Sequence, residues 1–142
     1  MGTGTGMELG FDDSGRLLWS DTQRVGEVRE LVIWRLQKWI NLAKGATGEK
    51  RERYLGCMFK ISDVLDCFQD GRLHIKDRRV ADTLLAMIEW YVDFLVRKYR
   101  AMPGNTGGVN PYAQPMLAAI RYYFGLHDLL CDRYERLPRQ SS

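Results

Sequence analysis

Four stretches of this chain repeat apolar residues at three- and four-residue steps over about twenty residues each, and only short Gly- or Pro-bearing segments part them. That period belongs to helices with one buried face. The first stripe reads Val25, Val28, Val32, Leu36, Trp39 and Ala43, with Ile33 and Ile40 widening it. A start at Ser20 or Asp21 fits a capping box of Ser20 with Gln23, and Gly45 stands where a left-handed C-cap belongs. The second stripe, over 48–70, carries Leu55, Met58, Ile61, Leu65 and Phe68, with Thr47 as its N-cap and Gly71 closing it. Asp77 caps the third, whose seam Val80, Leu84, Met87, Tyr91 and Phe94 is backed by Ala81, Leu85, Ile88, Val92 and Leu95. The fourth follows the Gly- and Pro-rich 102–111 loop, admits Pro115 in its first turn, and carries Leu117, Ile120, Phe124, His127, Cys131 and Tyr134. It ends near Leu137 and Pro138.

No alternating strand pattern competes, so the expected fold class is all-α. The expected architecture is an antiparallel up-and-down four-helix bundle over 20–138, with 72–76 as a plain connector. Residues 1–19 read as an extended or flexible N-terminal arm, stapled to the body by Leu17, Leu18 and Trp19, and 139–142 as a disordered tail. With 142 residues, 45% hydrophobic and 27% charged, the chain needs no metal or disulfide to complete one core. Cys57, Cys67 and Cys131 are odd in number and sit among apolar neighbours. With no positively charged leader ahead of them, they read as buried, reduced thiols of a cytoplasmic protein. Charges interrupt every apolar run, so no membrane span is expected.

The formal charge of +3 is small, but its placement is uneven. Glu8, Asp12, Asp13 and Asp21 face only Arg16 in the first 21 residues, so the remainder carries +6. In an up-and-down bundle the first and third loops share one end. That end collects Lys44, Lys50, Arg51, Arg53, Arg97, Lys98 and Arg100 against Glu49 and Glu52. Helix C-termini favour cations, which accounts for Lys44, Arg97, Lys98 and Arg100. The same dipole disfavours Lys50, Arg51 and Arg53 at the start of the second helix, so these three point to a polyanion, RNA or DNA. The opposite end mixes Arg72, Lys76, Arg78, Arg79, Arg133 and Arg136 with five carboxylates and reads as an ion-paired surface.

No catalytic, metal or cofactor signature accompanies the charge. His74 and His127 have no ligand partner at helical spacing, and the Glu-x-x-His motif of di-iron bundles is missing. Arg121 and His127 give the Arg-x5-His spacing of HEPN-type ribonucleases, but six residues turn a helix by about 600°, which parts the two side chains. Trp34, Trp39, Trp90 and the Tyr122-Tyr123-Phe124 run fit a core or subunit interface, or bases stacked on them. Tyr122 and Tyr123 are not both expected to face inward. One exposed ring, with the double stripe of the third helix, implies a homo-oligomer.

The segment Arg51-Glu52-Arg53-Tyr54-Leu55-Gly56-Cys57 enters an apolar helix. After it come the run Leu84 to Trp90, Phe94-Leu95, a Pro-bearing loop, and Gly125 four residues before Leu129. Over residues 25–137 this order resembles the accessory variability determinant proteins of diversity-generating retroelements. It also resembles the four-helix proteins encoded by intervening sequences of ribosomal RNA genes. The resemblance implies a non-enzymatic pentamer that binds nucleic acid and a partner reverse transcriptase. A helical subunit of a CRISPR effector, a viral nucleoprotein coat and a HEPN-like ribonuclease remain the alternatives.

Overall fold

The computed structural model describes residues 8–103 and 111–140. The Gly-rich run at 2–6, most of the expected 102–111 loop and the last two residues lie outside them. The element order is β1 (Leu9–Phe11), β2 (Leu17–Trp19), α1 (Thr22–Lys44), α2 (Gly48–Leu65), β3 (Phe68–Gln69), β4 (Arg72–Ile75), α3 (Arg78–Ala101) and α4 (Ala113–Arg133). A 3-10 turn, Tyr134–Arg136, follows α4.

The four helices form where periodicity places them, but the purely helical fold class needs correction. Among the described residues the strands build one antiparallel sheet in the order β1-β2-β4-β3. Residues 68–76, read from sequence as the end of the second helix and a connector, make a hairpin instead. Asp70 and Gly71 both have positive φ (54° and 74°), the backbone of a two-residue turn whose twist suits the strands beside it. The helix therefore stops at Leu65. Within residues 8–19, Leu9–Phe11 and Leu17–Trp19 are extended, yet paired rather than loose. The Asp12 carboxylate accepts the backbone N–H groups of Ser14 and Arg16, both at 2.9 Å, and so folds β1 back onto β2.

Strand alternation sends Leu17, Trp19, Leu73 and Ile75 to one face, and all four are fully buried. They pack on the seams of the helices: Val25, Val28 and Val32 of α1, Leu84 and Ile88 of α3, and Leu126 and Leu130 of α4. Each such side chain contributes about 1.5–3 kcal/mol relative to exposure.

Cap chemistry fixes the helix starts. The Asp21 carboxylate accepts the Arg24 N–H, so Asp21 and not Ser20 caps α1, while the Ser20 hydroxyl donates to the Glu8 carbonyl. Asp77 caps α3 as expected, accepting the Val80 N–H at 3.0 Å. Thr47 precedes α2 without a capping bond, and Gly45 has φ −92°, outside the left-handed region.

The fourth helix is rotated from the expected phase. Its buried residues are Ala113, Ile120, Tyr123, Leu126 and Leu130, whereas Phe124 and Cys131 are exposed. Both adjacent tyrosines are packed, because each hydroxyl has a partner. Trp19 Nε1 donates to the Tyr122 hydroxyl (3.0 Å), and the Tyr123 hydroxyl donates to Glu27 Oε1 (2.6 Å). Burial, and then Asp21 beside Tyr122 and Glu27 beside Tyr123, hold both phenols well above their ordinary range, while the Trp19 hydrogen bond pulls Tyr122 the other way. Of the double stripe of α3, Ala81, Ile88, Val92 and Leu95 are buried within the chain, Leu85 and Tyr91 are half-buried, and Phe94 is exposed.

Candidate functional site

Within each helical hairpin the helices are antiparallel. Trp39 meets Tyr54 between α1 and α2, Tyr91 meets Tyr123 between α3 and α4, and Arg78 at the start of α3 meets Glu135 in the 3-10 turn just after α4. Because α1 and α3 both leave the sheet, their basic ends lie away from it. All seven cations singled out in the sequence are exposed, and among the described residues none is held in an ion pair.

The seven form two groups. Lys44, Lys50, Arg51 and Arg53 surround the α1–α2 turn. Arg97, Lys98 and Arg100 occupy the last turns of α3, and no hydrogen bond or ring contact among the described residues joins the two groups. Arg51 has a structural reason to open α2: its Nε donates to the Ala43 carbonyl at 3.1 Å, one of the terminal acceptors of α1. Lys50 and Arg53 have no such role.

Trp34 and Trp90, which the sequence offers as core, interface or base-stacking residues, build with Phe94 a stack that the sequence does not reveal. Trp34 of α1 stacks on Trp90 of α3 with centroids 5.5 Å apart, and Trp90 stacks on Phe94 at 5.9 Å. Lys38 Nζ stands 5.6 Å over Trp34, and Lys98 Nζ stands 5.3 Å over Phe94. Trp34 is 52% exposed, an unusual state for a tryptophan on an amphipathic helix. The ring stack thus runs directly into the α3 basic group through Lys98, and α1 continues about 15 Å past Trp34 to Lys44. The only sequence signal was the i,i+4 spacing of Trp34 with Lys38, of Trp90 with Phe94, and of Phe94 with Lys98.

The sheet-side end is paired in part: Arg78, Arg79 and Arg133 have ion pairs, whereas Arg72, Lys76 and Arg136 have none among the described residues. Arg79 bridges Asp63 at 3.3 Å, and Arg78 binds the Tyr134 and Glu135 carbonyls. His127, expected to have no ligand partner at helical spacing, has one: its Nδ1 meets Sγ of Cys131, one turn on in α4, at 3.7 Å, and its Nε2 meets Glu89 Oε2 at 2.8 Å. A thiol, imidazole and carboxylate in a row invite a nucleophilic reading, but the chemistry opposes it. Burial, then Asp128 and Glu89, push the Cys131 thiol above its ordinary pKa. Cys131 also sits in the last turn of α4, where the helix dipole disfavours a thiolate. Arg121 is exposed.

The three thiols differ from the expected uniform burial: Cys67 is buried, Cys57 half-buried and Cys131 exposed. Among the described residues no group of three or more His, Cys, Asp or Glu side chains has metal-binding geometry. No helix among them is long and apolar enough to cross a membrane. Comparison of the chain with protein-family models, with curated proteins and with solved structures gives no match.

Proposed function

We propose that this protein binds single-stranded nucleic acid along the Trp34–Trp90–Phe94 strip and the basic groups beyond it. The observation that carries this reading is an exposed aromatic stack with a lysine at each end, one of them part of an unpaired cationic cluster. Single-strand binders combine these two elements: ring faces that accept any base, and cations that track the phosphates. A base arriving on Trp34 displaces the Lys38 ammonium, which then serves a phosphate. A duplex keeps its bases stacked internally and engages only the cations. The narrower role of a retroelement accessory protein, with its reverse transcriptase partner and pentameric ring, rests on the resemblance over residues 25–137 alone.

The test is fluorescence anisotropy with a labelled single-stranded oligonucleotide and its duplex, titrated at stepped salt. Trp34→Ala is expected to weaken single-strand binding by about 1–3 kcal/mol while leaving the salt slope unchanged. Replacing Arg97, Lys98 and Arg100 by Gln is expected to flatten that slope by about 2, at ~0.7 per lost phosphate contact. Absence of binding at low salt overturns the proposal. So does a Trp34→Ala protein that binds normally but changes its assembly state, which would make the strip a subunit interface.

A further inference from the structure

Arg35, one residue beyond Trp34 on α1, is half-buried and turns its guanidinium onto the rings of Trp39 and Trp90. Its guanidinium carbon is 4.9 Å from the Trp90 ring centroid and 5.6 Å from that of Trp39. Its Nε is shut off from solvent with no hydrogen-bond acceptor, the only buried side-chain nitrogen or oxygen among the described residues left in that state. No carboxylate among them pairs with it. The indole faces attract the positive charge but offer no lone pair to the N–H groups. An unmet donor on a charged group is costly, and one way a fold sustains it is for something outside the chain to supply the acceptor.

Arg35 lines a cleft of about 600 Å³ between α2 and α3, within the size range of small-molecule sites. From Val80 to Trp90 it follows α3 for about 15 Å. Its walls are apolar at Ile61, Val64, Val80 and Met87, and Lys60 and Lys76 also line it.

The carboxylates present are committed elsewhere. Asp63 is held by Arg79, Asp77 caps α3, and Asp82 takes the Tyr134 hydroxyl. Arg35, Lys60 and Lys76 therefore face the cleft with no ion-pair partner among the described residues.

From this geometry we infer that the α2–α3 cleft binds a small amphiphilic organic anion. Its acidic group is held by Arg35 between the two indoles, and its apolar body lies along Ile61, Val64 and Met87. A guanidinium presents two parallel N–H donors to a carboxylate or phosphate, which a lysine ammonium does not. Swinging of the Arg35 fork toward an entering anion gives the Nε the acceptor it lacks. The ligand is a different class from the single strand, and the two sites share only Trp90.

The experiment uses anilinonaphthalene sulfonate as the anionic probe and N-phenylnaphthylamine as its neutral counterpart, each titrated by fluorescence against the full chain. The anionic dye is expected to bind with one-to-one stoichiometry and at least tenfold more tightly than the neutral one. Arg35→Met is expected to erase that preference while melting at or above the wild-type temperature, since it removes an unmet donor. Arg35→Lys, which keeps the charge but not the fork, is expected to lose at least fivefold and serves if the methionine variant does not fold. Competition by decanoate against decyl phosphate separates the two head groups. Equal affinity for the two dyes overturns the inference, as does wild-type dye binding by both Arg35 variants. Displacement of the dye by an oligonucleotide in wild type and Trp34→Ala alike would overturn it as a separate site.

Discussion

Trp19 decides whether the N-terminal segment is a loosely stapled arm or part of the core. The side chain is fully buried, and its Nε1 donates to the Tyr122 hydroxyl. A buried tryptophan withdraws about 200 Å² from water, which at ~25 cal/mol per Å² is worth about 5 kcal/mol. A compact denatured state already hides part of that area, which lowers the figure to about 3–4 kcal/mol. Truncation also leaves the Tyr122 hydroxyl without its donor and opens a cavity the sheet can only partly close. Trp19→Ala is therefore expected to cost about 3–5 kcal/mol. Trp19→Phe keeps most of the area, loses the hydrogen bond, and is expected to cost about 1–2 kcal/mol. Urea unfolding followed by helical circular dichroism reads both. With a slope of about 2 kcal/mol/M, the alanine variant moves its midpoint by roughly 2 M and the phenylalanine variant by less than 1 M. A cost below about 1 kcal/mol for Trp19→Ala would mean the strands merely rest on the helices, and would refute the packing argument.

Two further outcomes follow from the hairpin and the thiols. Gly71→Ala is expected to cost about 1–2 kcal/mol in the same assay. It places a side chain at φ 74° and sets a Cβ 3.2 Å from the Thr22 methyl, so a neutral result would show the turn to be plastic. Cys131, although exposed, is expected to alkylate more slowly at pH 8 than a cysteine in an unstructured peptide, because only the thiolate reacts and its pKa is raised. The rate should climb with pH toward that raised pKa, and Glu89→Gln, which removes one negative neighbour, should speed it. Peptide mapping after iodoacetamide separates Cys131 from the other two thiols, and an unchanged rate in Glu89→Gln would sink the electrostatic account.

The helices were legible because a 3.6-residue period repeated over six turns is hard to imitate. The strands were not, since two to four residues hold at most two alternations, as in Arg72-Leu73-His74-Ile75. Asp70-Gly71 between Phe68 and Leu73 was nonetheless a hairpin signal, masked by the helical phase of Leu65 and Phe68. In the fourth helix two stripes one residue apart carry similar apolar content. The choice fell to Tyr122 and Tyr123, which both pack because Trp19 and Glu27 meet their hydroxyls from other elements. Of the candidate interface, the seven cations could be counted in the sequence. The stack of Trp34 on Trp90 could not, because it joins residues of different hairpins and depends on the rotation of α1 against α3. Arg35 gave only its i,i+4 spacing with Trp39; its place against Trp90 comes from tertiary packing.

The pairing of β2 with β4 bears on how the chain reaches this state. Leu18 and His74 face each other across strands that an entire helical hairpin separates in sequence. Closing a loop of roughly 55 residues carries an entropic cost of about 3.5 kcal/mol before any strand contact returns it. The helical hairpins and the Asp70-Gly71 turn involve only local contacts and can form within microseconds. The slow event is therefore the capture of the N-terminal strands by a preformed β3–β4 hairpin. On a ribosome β2 emerges first and waits for β4, its apolar residues unshielded through the synthesis of α1 and α2.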